Sequence, residues 1–113
     1  MTTALTNIER AEKALRYLAL TDDEIAEAKM QVSKSEYLAK LREAFAFKAA
    51  EGETVRDREV SAKTDPESQQ AWNTHFLAVT QYEKLRAKRE RAFHTLDWAR
   101  TLEASRRQGS QVT

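Results

Sequence analysis

Apolar residues in this chain fall into two long helical stripes separated by a short polar stretch. In the first, Ile25, Ala28, Val32, Leu38, Leu41 and Phe45 recur at three-, four- and seven-residue steps, with a gap at Ser35. In the second, Trp72, Phe76, Val79, Tyr82, Leu85, Ala92, Leu96 and Ala99 do the same, with Arg89 interrupting. Such spacing returns a side chain to one face of an α-helix at every turn and resembles a coiled-coil seam. A shorter face, Ile8, Leu15 and Leu18, precedes them.

Helix starts are marked by capping residues. Thr6-Asn7-Ile8-Glu9 and Thr21-Asp22-Asp23-Glu24 both fit the capping box, and Thr54-Val55-Arg56-Asp57 is a weaker copy. At Asp65-Pro66-Glu67 the Asp caps, and Pro stands where its missing N–H costs nothing. Helices are therefore predicted at 7–20, 22–50, 55–63 and 66–106, with Gly52 as the stop of the second. The first folds back onto the second at Thr21. The stretch between Gly52 and Pro66 reverses the chain, so that helices two and four pack antiparallel. The expected fold is all-α: an elongated antiparallel hairpin of two long helices with one or two short packing helices. Ile25, Val32, Leu38, Leu41, Phe45, Trp72, Phe76, Val79, Leu85 and Leu96 should form its core.

Composition agrees with long helices. Among 113 residues there are two Gly and one Pro, where average usage gives about eight and six. Apolar residues make up 41% and charged residues 33%, which suits helices with one buried stripe each. A single domain over 1–113 is expected, with a frayed tail from about 108. The chain has no cysteine, so it has no disulfide framework, thiolate metal site or thiol nucleophile. No apolar run approaches the roughly 20 residues of a membrane span, and a cytoplasmic protein is expected.

The net charge of +1 conceals two halves of opposite sign. From Thr21 to Glu53, eight acidic residues oppose five basic, net −3. From Lys84 to Arg107, eight basic residues oppose three acidic, net +5. Lys84, Lys88 and Arg91 share a helical face, with Arg100, Arg106 and Arg107 beyond them. A face of cations with Tyr82, Phe93 and Trp98 nearby suits phosphate contacts with base stacking. From composition alone the readier account is a solvated face that pairs with Glu27, Glu36 and Glu43 across the hairpin, whose surface ion pairs contribute only ~0–1 kcal/mol each. Tyr37, Phe47 and Trp98 are candidate interface residues of an antiparallel homodimer.

Catalysis finds no support in the residue pattern. His75 and His94 stand about 28 Å apart on one helix at 1.5 Å per residue, too far to share a metal. Nothing here resembles a nucleophile elbow or a glycine-rich phosphate loop. No catalytic residue, metal or cofactor is expected.

Three segments together resemble a known group. They are Ile8 to Ala19 with Ala14-Leu15-Arg16-Tyr17-Leu18, Thr54-Val55-Arg56-Asp57-Arg58-Glu59 through Asp65-Pro66-Glu67, and Leu96-Asp97-Trp98-Ala99-Arg100 through Arg106-Arg107. The chain is similar to small phage- and prophage-encoded helical proteins that often lie beside recombination and single-strand annealing genes. The resemblance implies a phage accessory role near DNA, in the host cytoplasm. The expected function is therefore a non-enzymatic accessory factor of phage DNA metabolism that binds single-stranded DNA or a recombination protein through the basic half of helix four. The competing expectation is a helical protein–protein module, such as a phage inhibitor of a host enzyme, or a virion or scaffold component.

Overall fold

Small residues at three- and four-residue steps bring two long helices together. The computed structural model describes residues 6–52 and 54–111. They form α1 (Asn7–Ala49), α2 (Val55–Thr64) and α3 (Pro66–Gln111), with no strand among the described residues. Three of the expected caps are present. Glu9 N–H donates to Thr6 Oγ1 and Thr6 N–H to Glu9 Oε2, both at 3.1 Å, which closes the capping box. Asp57 N–H donates to Thr54 Oγ1, and Ser68 N–H to Asp65 Oδ2.

Thr21 is a correction. It neither caps a helix nor reverses the chain, because α1 runs through it without a break. Its hydroxyl donates back to the Tyr17 carbonyl at 2.8 Å, the usual recourse of a Thr inside a helix. The covered positions of α1 explain the continuity: Ala11, Ala14, Leu18, Thr21, Ile25, Ala28, Val32, Ser35 and Ala39 alternate three- and four-residue steps without interruption. A capping motif inside an unbroken seam loses to tertiary packing. At the other ends, α1 stops at Ala49, before Gly52, and α3 extends to Gln111 rather than Arg106.

The chain divides into two units. One is drawn from Met1–Ile25 and Lys84–Thr113, the other from Ala26–Glu83. In the terminal unit, Ala14, Leu18 and Leu96 form a buried cluster, with Ala11 and Ala92 packed against it. Arg89 fills the position where the apolar stripe of α3 is interrupted. Its guanidinium donates to the Leu18 carbonyl, to Thr21 Oγ1 and to Asp22 Oδ1, and its side chain is only 12% exposed. In the middle unit, the Ser35 position of α1 meets His75 of α3, Oγ to Nδ1 at 3.0 Å. Trp72 Nε1 donates to Glu43 at 2.8 Å, and Arg42 pairs with Glu67. In each unit, later residues of α1 meet earlier residues of α3, so the pairing is antiparallel.

The predicted core needs revision. Of its ten members only Leu96 is buried; Ile25, Val32, Leu41, Trp72, Val79 and Leu85 are half-buried, and Leu38, Phe45 and Phe76 are exposed. A pair of helices covers only one narrow stripe on each. On α1 that stripe passes through Ser35 and Ala39, which is fully buried, and leaves Leu38 and Phe45 to one side. In the middle unit these two, with Leu41 and Ala71, line an open groove of about 800 Å³. Ala62 of α2 is 2% exposed and lines a second, smaller pocket with Phe47 and Trp72.

Candidate nucleic-acid interface

The terminal unit presents two unlike flanks, and one of them gathers the cations. An α-helix turns 100° per residue, so Lys84, Lys88, Arg91, Thr95 and Trp98 (steps of four, three, four and three) form one stripe of α3. That stripe lies about 100° round the helix from the seam positions Leu85, Arg89, Ala92, Leu96 and Ala99. Lys84, Lys88 and Arg91 are exposed, and none of their side chains makes an ion pair among the described residues. Trp98 is 62% exposed.

Which side of α1 flanks this stripe follows from a single ion pair. Asp22 belongs to the edge of α1 that carries Ile8 and Leu15, seven residues apart. Arg89, which reaches Asp22 at 2.8 Å, leans toward the edge of α3 that carries Arg86, Phe93 and Arg100. Those two edges share one flank. The opposite edges, Arg10-Lys13-Tyr17-Leu20-Glu24 on α1 and Lys84-Lys88-Arg91-Thr95-Trp98 on α3, share the other.

The predicted site residues thus separate. Lys84, Lys88 and Arg91 stand together with Trp98. Arg106 lies further along their side of α3, with Nη2 3.1 Å from Glu103 Oε2 and Nε donating to the same oxygen. Arg100 is exposed but belongs to the opposite flank, and Arg107 is turned 100° from Arg106. Of the proposed interface residues, Tyr37 is 65% exposed on α1 of the middle unit. Phe47 is only half-exposed, beside Ala62 and Trp72. Two of the three anticipated cross-hairpin partners have other contacts: Glu36 pairs with Lys40 one turn away, and Glu43 accepts the Trp72 N–H, while Glu27 is exposed.

Arg10, Lys13 and Tyr17 are what sequence reasoning missed. Their signal was present: a three-then-four spacing that parallels the α3 stripe. Reading the basic run as a property of one helix concealed it. The described residues contain no group of three or more His, Asp and Glu side chains placed to hold a metal, and none of their helices is long and apolar enough to cross a membrane. Compared with protein-family models, curated proteins and solved structures, the chain matches none.

Proposed function

We propose that this protein is a non-enzymatic accessory factor of phage DNA metabolism that binds single-stranded DNA through the basic flank of its terminal unit. One observation carries the reading: Lys84, Lys88 and Arg91 stand exposed, without ion-pair partners among the described residues, on the same stripe as an exposed indole. Phosphates take up such cations by releasing condensed counterions, and bases stack on an accessible aromatic. The sequence resemblance to proteins encoded beside recombination genes supports the same role. The test is fluorescence anisotropy with a labelled oligothymidylate across a salt series. Changing Lys84, Lys88 and Arg91 together to Gln should weaken binding by about tenfold or more and flatten the salt dependence, with the helical signal unchanged. Absence of binding by the wild type at low salt would refute the proposal.

A second reading, a protein–protein module, is favoured by a different observation. The groove beside Leu38, Leu41 and Phe45 leaves large apolar side chains uncovered in the middle unit, and uncovered apolar surface of this kind marks interfaces. If it operates through a homodimer, Phe45→Glu should convert a dimer in sedimentation equilibrium to a monomer.

A further inference from the structure

The basic flank is not uniform along its length, and its unevenness locates the part that recognises a ligand. In the terminal unit, Arg89 lies opposite Leu18, Thr21 and Asp22. The antiparallel register therefore sets each α3 residue level with an α1 residue such that their numbers sum to about 107–111. Lys84 and Lys88 are level with the turns of α1 that bear Leu20 and Glu24. Trp98 is level with the turn that bears Arg10 and Lys13. At the first end an exposed carboxylate on the same flank opposes the two lysines. At the second, two exposed cations of α1 stand across from the indole, and neither makes an ion pair among the described residues. Two acids adjoin these cations in sequence: Glu9 accepts the Thr6 N–H as part of the cap, and Glu12 is turned 100° round the helix from Lys13.

We infer that recognition centres on Trp98. Its ring stacks an unpaired base, while Arg10 and Lys13 from one helix and Arg91 from the other hold the phosphates on either side. This deepens the single-stranded DNA reading and rests on it. Lys84 and Lys88 then act as an outlying electrostatic approach, weakened by Glu24. The arrangement selects for single strands because a duplex keeps its base faces stacked and offers Trp98 only phosphates. A guanidinium and an ammonium beside an aromatic also suit a strand of any sequence, since every base has a π-face.

The experiment compares two double variants and one reporter. Arg10→Gln with Lys13→Gln should weaken oligothymidylate binding by about tenfold and lower the salt slope by about 1.4, two phosphate contacts at about 0.7 each. Lys84→Gln with Lys88→Gln should weaken it only two- to threefold, on the order expected of screened, partly opposed charges. In a Trp72→Phe background, Trp98 is the one remaining tryptophan, and its emission should be quenched by the single strand and not by a duplex of equal length. Trp98→Ala should reduce single-strand affinity about tenfold, leaving duplex affinity unchanged. If the wild type binds but the Lys84/Lys88 pair costs more than the Arg10/Lys13 pair, or Trp98 emission does not respond, this inference fails and the broader DNA-binding reading stands. If the wild type binds no nucleic acid at low salt, both fall together.

Discussion

The two units share one seam spacing but are pinned by different chemistry. In the terminal unit a cation does the pinning: Arg89 lies nearly buried across the helix pair and binds a carbonyl, a hydroxyl and a carboxylate on α1. In the middle unit no arginine crosses the seam in this way: Ser35 meets His75, the Trp72 N–H donates to the Glu43 carboxylate, the Arg42–Glu67 pair is exposed, and His75 meets the Trp72 ring edge-on at 5.7 Å between centroids. The terminal unit has aliphatic residues at its centre, Leu18 and Leu96, whereas the fully covered α1 residue of the middle unit is Ala39. The units also differ in make-up. The middle unit includes α2, whose Ala62 is buried, yet leaves Leu38, Phe45 and Phe76 exposed, while the helical residues described for the terminal unit belong to α1 and α3 and leave Ile8, Leu15 and Phe93 exposed on one flank. Small residues allow helices to approach but bury little apolar surface, so polar pins become necessary to fix register.

The largest expected effect sharpens the contrast in packing. Leu18→Ala removes a side chain that is 7% exposed and should cost about 2–4 kcal/mol. Leu41→Ala, at a half-buried position of the middle unit, should cost about 1 kcal/mol. Urea denaturation monitored by circular dichroism would reverse the ranking of the two units if Leu41→Ala proved the more damaging.

Next is the pin itself. Arg89→Ala should destabilise by about 2–3 kcal/mol, since it removes charge-assisted hydrogen bonds and side-chain packing. Asp22 is well exposed and can be rehydrated, which keeps the loss below that of a fully buried pair. Arg89→Leu should recover part of the stability without restoring register. A leucine variant as unstable as the alanine variant would show that the hydrogen bonds, and not the filled volume, hold the terminal unit.

The smallest effect has the opposite sign. Ser68 is 1% exposed and its Oγ has no hydrogen-bond partner among the described residues, so its hydroxyl is desolvated without compensation. Ser68→Ala should raise the melting temperature slightly, by about 0.5–1 kcal/mol of added stability. A lower melting temperature would mean that the hydroxyl has a partner in solution.

Much of this fold was legible in the residues. The helical class, the Thr6, Thr54 and Asp65 caps, and the antiparallel pairing of two long helices all follow from local propensity and spacing. The buried face of α1 was less legible because two stripes of similar period run along it. Past Val32, the greater hydrophobicity lies with Leu38, Leu41 and Phe45, but Ser35 and Ala39 are the buried positions. A hydrophobicity pattern ranks side chains by size, whereas close packing of two helices favours the small ones. The candidate site was half visible: Lys84, Lys88, Arg91 and Trp98 stand out on α3, while Arg10 and Lys13 are 71 or more residues earlier than Lys84.

What the sequence determined by itself is where helices can begin and which residues can share a turn, because capping bonds and the 3.6-residue period act over a few neighbours. What only the tertiary structure decided is that Thr21 continues a helix, that Arg89 and Ser35 belong to the seam, and that cations from both ends of the chain share a flank. Each of these depends on contacts between residues tens of positions apart, and no local preference carries that information.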